Sequence, residues 1–285
     1  MGLRLEEKVE ILRSMGAESH DIDELLCYTS NVFTRNPECE AEAYLVSWKP
    51  IFAAAEVMGV AYAINNYLVR AKTQIDFAQP DSIVLELFNS FAGRVPIITA
   101  ESYVDFENLV KTVVFKGNEY SLINDMGATF VSSKNNFLII LSGKPYSNVT
   151  AEALGLDEQT WKEKSAVIRK YHECAHYYTK RNYGSARNNL HDELIADFCG
   201  MWASFSSFNA SLFSKFLAHG RMKIYTEGLS CASAAIVEKL SHIAASGVER
   251  WTMDEGITKL SDSQRIDYLC ERELLSYVYH KHKMP

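Results

Sequence analysis

The chain has 285 residues, 47% of them hydrophobic, and a formal net charge of −7. That length allows one large domain or two lobes around a real core. The negative balance excludes a general nucleic-acid binder, which needs a basic face. The longest apolar stretch, Ile51 to Ile64, carries Glu56 and is too short to span a bilayer, so no membrane partner is expected. The N-terminal MGLRLEEKVEILRSMG lacks the apolar centre of a signal peptide, and Glu6 stands where a myristoylation signal needs Ser or Thr. Cys27, Cys39, Cys174, Cys199, Cys231 and Cys270 show no C-x-x-C spacing, as expected of reduced thiols in a cytoplasmic protein.

In chain order, residues 4–15 have the spacing of a short amphipathic helix with Leu5, Val9 and Leu12 on one face. Asp21 to Tyr28 predicts a second helix. Glu40 to Ala71 reads as one or two helices interrupted at Pro50, apolar on nearly all sides and therefore buried. Asp81 is placed as the N-cap of another helix, packing through Val84, Leu85, Leu87 and Phe88. Val95 to Thr99 is a β-prone run broken by Pro96, and Ser102 to Val110 returns to helical spacing. Four short β-prone runs follow: Thr112 to Phe115, Tyr120 to Ile123, Thr129 to Val131 and Phe137 to Leu141. Turn residues separate them, which predicts a small antiparallel sheet. After Met201, helices are expected at Phe205 to Leu217, Ser233 to Ala245 and Ser261 to Tyr279, with Gly220, Gly228, Gly247 and Gly256 as breaks. The expected fold is α+β and predominantly helical. A helical N-terminal region covers 1–111. A core over 112–285 holds the sheet (112–142), two site-bearing helices (160–201) and a helical lobe (202–285).

The chemistry is concentrated in residues 164–201. Thr160 and Glu163 fit a capping box, and Val167, Ile168, Tyr171, Ala175 and Tyr178 recur at helical spacing. No proline interrupts 160–182, and Gly184 is a natural stop. On that helix, His172-Glu173-Cys174-Ala175-His176 puts two imidazoles on one face, able to reach one metal ion. Glu173 lies about 100° round the helix, within reach of a water on that ion. Cys174 and Ala175 point into packing. Glu193 and Asp197 share a face of a second helix. Glu193 is the candidate third ligand, which leaves one position open as in a catalytic zinc site. Asp197 can hold the ring of a ligand histidine. Lys162, Lys164, Arg169, Lys170, Lys180, Arg181 and Arg187 form a positive cluster expected to solvate the outer helix faces. His219, His242, His280 and His282 are off ligand spacing and read as surface or packed residues.

The helix-borne H-E-x-x-H followed by E-x-x-A-D resembles the gluzincin class of zinc metallopeptidases over roughly residues 164–201. The resemblance implies Zn²⁺ held by His172, His176 and Glu193, with Glu173 as general base and Asp197 as the carboxylate behind a ligand histidine. Asp192 departs from the Asn found there in thermolysin-like members. A zincin-like core over 112–285 is implied, with an edge strand, here Phe137 to Leu141 or its neighbour, lying beside an extended substrate. The expected function is a zinc-dependent hydrolase of peptide or amide bonds acting on a peptide or protein. The alternative is a non-catalytic zinc-binding regulatory or interaction protein retaining the fold. His191, Arg187, Tyr183 or a tyrosine from the C-terminal lobe are the candidates to stabilise the transition state.

Overall fold

The computed structural model describes residues 2–36, 42–69, 74–118, 126–133, 136–184, 189–218 and 220–278. The fold is α+β and mostly helical, with one small four-stranded sheet. The chain forms two compact units: Met1–Pro37 with Tyr178–Pro285, and Glu38–Tyr177. This partition runs differently from the expected boundary at 111/112. No helix among the described residues is long and apolar enough to cross a membrane.

The first unit begins with α1 (Leu5–Ser14) and α2 (Ile22–Thr29). Leu12 and Ile11 are the buried residues of α1, whereas Leu5, expected on the packed face, is 61% exposed. It sits at the first residue of the helix, before that face is enclosed.

In the second unit a 3-10 turn, Glu42–Trp48, leads into α3 (Lys49–Met58), and Pro50 lies in the first turn of α3. A proline there loses no helical hydrogen bond, so it starts the helix where an interruption was expected. After Gly59, at φ 89°, come α4 (Val60–Ala63) and a π-turn, Ile64–Leu68. The expected all-round burial is not found. Trp48, Ile51, Ala63 and Ile64 enter the core, while Val57, Met58, Tyr62 and Tyr67 face solvent.

Residues 83–90, expected as helix, form strand β1 (Ile83–Ser90). The run Val84-Leu85-Glu86-Leu87-Phe88 is short enough to suit either period. Pairing with β2 (Gly93–Ala100) across the turn at Phe91-Ala92 decides it. Strand β2 continues through Pro96, which lies just before pairing with a third strand begins at Ile97. Helix α5 (Tyr103–Val113), capped by Ser102, takes up residues 112 and 113, expected as strand. The run Tyr120 to Ile123 lies outside the described residues. Strands β3 (Ala128–Ser133) and β4 (Asn136–Ser142) complete the sheet in the order β1-β2-β4-β3.

The sheet is mixed, which corrects the antiparallel expectation. Strands β2 and β4 are parallel, and the other two pairs are antiparallel. Strand β4 is interior, with β2 on one side and β3 on the other, so it is not an edge. That is why Leu138, Ile139, Ile140 and Leu141 are all buried in succession, on both faces of the sheet.

Helix α6 (Glu158–Tyr183) follows. The rest of the first unit comprises α7 (Leu190–Phe205), α8 (Ala210–Leu217), α9 (Arg221–Tyr225), α10 (Cys231–Thr252), α11 (Glu255–Thr258) and α12 (Asp262–Cys270). Helix α7 starts at Asn189, whose side chain accepts from the Asp192 N–H, and its residues from Leu190 to Met201 are all buried. Gly247, expected as a break, lies inside α10. A Cβ there would stand 2.7 Å from Tyr277 Cδ1, so glycine serves close packing.

Candidate metal centre

Helix α6 is capped one turn earlier than the Thr160 expectation. Asp157 Oδ1 accepts from the Thr160 N–H at 2.9 Å, and Glu163 pairs instead with the Gln159 amide. From that start, Trp161, Ser165, Arg169, His172 and His176 recur every three or four residues and so lie along one stripe. The first three fasten the segment after β4 to the helix. Trp161 Nε1–H donates to the Val149 carbonyl at 2.7 Å, and Ser165 Oγ accepts from the Tyr146 N–H at 3.1 Å. Arg169 donates to the carbonyls of Ser142, at 3.0 Å, and Lys144, at 2.5 Å.

Arg169 corrects its place in the positive cluster, because it is buried and holds backbone. Burial pushes its guanidinium down to about 10, partly opposed by the Tyr146 and Glu173 oxygens. Lys162 and Lys170 behave as expected of outer-face cations and pair with Glu101 and Glu86.

This fastening places Tyr146 against the first motif histidine. Its hydroxyl is 2.8 Å from His172 Nδ1. Ser147 and Asn148, at φ 51° and 56°, turn the chain away behind it. His172 Nε2 and His176 Nε2 converge to 3.1 Å, with their rings near perpendicular. Glu173 is buried on the same helix. Cys174 is fully buried and its thiol is pushed up to about 12 by burial, so it is packing as expected.

In the first unit, Glu193 and Asp197 are buried one turn apart on α7. Arg221 Nη2 donates to Glu193 Oε2 at 2.9 Å, and the Tyr225 hydroxyl donates to the same oxygen at 2.8 Å. Arg221 Nη1 also lies 3.5 Å from Asp197 Oδ2. Burial raises the Tyr225 phenol well above its ordinary value, so it remains a donor. Asp192 accepts from the Thr179 hydroxyl at 3.2 Å.

Of the candidates for transition-state stabilisation, Tyr183 and His191 have partners within the first unit. The Tyr183 hydroxyl donates to Asp267, and Arg187 lies outside the described residues. His191 is packed edge-on against Phe33 and donates from Nε2 to the Leu269 carbonyl at 3.1 Å. Burial pushes its imidazole down to about 4 from 6.5. The unfolded chain therefore takes up a proton below about pH 6.5 that the folded chain refuses until about pH 4. Stability present at neutral pH is expected to fall on the order of 3 kcal/mol across that window. His191→Phe should flatten this acid limb in urea titrations run at successive pH values; an unchanged limb would contradict the assignment.

His242 is exposed and bonded to Ser214, while His219, His280 and His282 lie outside the described residues. Tyr146, Arg169, Arg221 and Tyr225 are the contributors that motif spacing did not single out.

The chain belongs to a family described as a family of unknown function (DUF7005), whose model matches residues 65–138 and 137–279. No curated protein and no solved structure matches it.

Proposed function

We propose that the protein is a zinc-dependent hydrolase of peptide or amide bonds, with His172, His176 and Glu193 as the metal ligands and Glu173 as general base. The observation that carries this reading is the convergence of two imidazole nitrogens to 3.1 Å. Two nitrogens bound to one tetrahedral zinc at 2.0–2.1 Å would stand about 3.3 Å apart. The donor chemistry also fits. Tyr146 occupies Nδ1 of His172 and leaves Nε2 to the ion, the usual division of an imidazole between metal and hydrogen-bond partner. Two histidines and a glutamate make the donor set of an open site.

When bound, the ion supplies Lewis-acid polarisation of a carbonyl and lowers the pKa of its water. Glu173, next to His172 in sequence, would take the proton of the attacking water and deliver it to the leaving amine. Buried Arg169 stands one turn earlier on the same helix, and the Glu173 charge acts on its guanidinium. The resemblance of the five motif residues to gluzincins supports a peptide or protein as substrate. The described cysteines form no disulfide with one another, which supports a cytoplasmic location.

Elemental analysis of tag-free protein tests the metal set. Wild type is expected to carry about one zinc per chain, and Glu193→Ala much less. Zinc-supplemented wild type that holds none would sink the reading.

A further inference from the structure

We infer that the outer face of α3 is an interface between two copies of this chain, packed antiparallel about a two-fold axis and held in register by reciprocal ion pairs between Lys49 and Glu56. The inference is independent of the metal reading.

Helix α3 (Lys49–Met58) lies wholly within the second unit. It turns Ile51 into the core, with Trp48 just before it. The opposite face carries Pro50, Ala53 and Val57, all exposed, Val57 to 80%. These stand three and then four residues apart, the spacing of a helix seam. Val46, 65% exposed in the 3-10 turn before α3, precedes Pro50 by a further four. A surface helix normally turns charged and polar residues outward. Here Glu56 is the only charged residue from Pro50 to Ile64. A contiguous exposed apolar face of this kind marks a contact surface.

The flanking charges choose the occupant. Lys49 and Glu56 are exposed and seven residues apart, so they share one edge of the seam. Neither has a hydrogen-bond or ion-pair partner among the described residues. In a parallel pair of helices that edge would meet the opposite edge of the other copy, where Ala54 stands, and no charge would be matched. In an antiparallel pair the same edge of both copies meets. With Pro50 of each copy level with Ala53 of the other, Lys49 and Glu56 of the second copy are offset by about 3 Å along the axis. Side chains lean towards the N-terminus of their own helix, which in an antiparallel pair closes that offset from both sides. The two-fold axis makes the contact twice. The face is thus complementary to itself, as an isologous interface requires. A helix of ten residues spans about 15 Å, so the interface is a small one and the expected dimer is weak.

Sedimentation equilibrium of the full chain, from micromolar to near-millimolar loading, tests this. The samples are wild type, Val57→Asp, Lys49→Glu, Glu56→Lys and the double exchange Lys49→Glu with Glu56→Lys. All three positions are exposed, so circular dichroism should show every variant folded as the wild type is. The expected result is a wild-type dimer that Val57→Asp abolishes. Each single reversal sets two like-charged pairs face to face and should weaken the dimer about 10-fold, and the double exchange should restore it to within a factor of about 2. Should Val57→Asp fail to fold, the charge series decides alone. Wild type that stays monomeric throughout would overturn the inference. So would a dimer unaffected by Val57→Asp, or one that the single reversals weaken and the double exchange leaves weak. A monomer that binds neutral lipid vesicles, and loses that binding in Val57→Asp, would give the face to a membrane and overturn it equally.

Discussion

Glu173→Gln is expected to retain the metal of the wild type and to lose roughly 10²- to 10⁴-fold in turnover of any peptide or amide that the wild type cleaves. Glutamine keeps the size and the buried position of the side chain but cannot accept and pass on a proton. Glu173 lies on α6 between two residues whose side chains engage other partners, His172 with Tyr146 and Cys174 in the core. The substitution therefore leaves the neighbouring packing in place, and a lost rate reports on proton transfer. A quenched-fluorescent peptide library would supply the substrate, with metal content measured on the same preparations. A variant with full turnover would end the assignment of Glu173 as base.

Arg169→Ala is expected to destabilise the protein by about 3–6 kcal/mol, from two buried hydrogen bonds donated by a charged group. The Ser142 and Lys144 carbonyls would lose their donor, and a cavity would replace the side chain. Urea denaturation measures the loss. Arg169→Lys should recover only part of it, since one ammonium does not reproduce the planar spread that spans two carbonyls. A loss under about 1 kcal/mol, the size of an ordinary surface substitution, would show that the turn after β4 is held by other means. Gly127 belongs to the same arrangement. A Cβ there would stand 3.3 Å from the Arg169 guanidinium, so Gly127→Ala crowds the group that Arg169→Ala removes.

The motif residues were legible because they lie four apart on one helix, and helix periodicity turns spacing directly into proximity. The same holds for Gly184 as the end of α6 and for the fully buried Cys174. The sheet was only partly legible. Strands β3 and β4 fall where β-prone runs predict them, but the parallel pairing of β2 with β4 joins residues some forty positions apart, across α5 and β3. No local pattern encodes such a pairing. The residues 83–90 were misread because five apolar-rich positions satisfy both periods, and only the partner strand chooses. Tyr146, Arg221 and Tyr225 escaped for a related reason. Each reaches its partner from a segment distant in sequence, and nothing in the neighbouring residues distinguishes such a tyrosine or arginine from one on the surface. Arg169 looked like part of a solvated charge run, when its position on the Trp161–His176 stripe already placed it with the residues that face inward.

That stripe has a consequence for which changes the segment can absorb over evolutionary time. Trp161, Ser165, Arg169, His172 and His176 share a phase, and each added residue rotates everything beyond it by about 100°. Substitutions on the outward faces of α6 leave that phase untouched. A single-residue insertion or deletion between Arg169 and His172 would turn the histidines away from Tyr146, even with every side chain preserved. Homologous chains should therefore vary freely in composition along this helix and hardly at all in length.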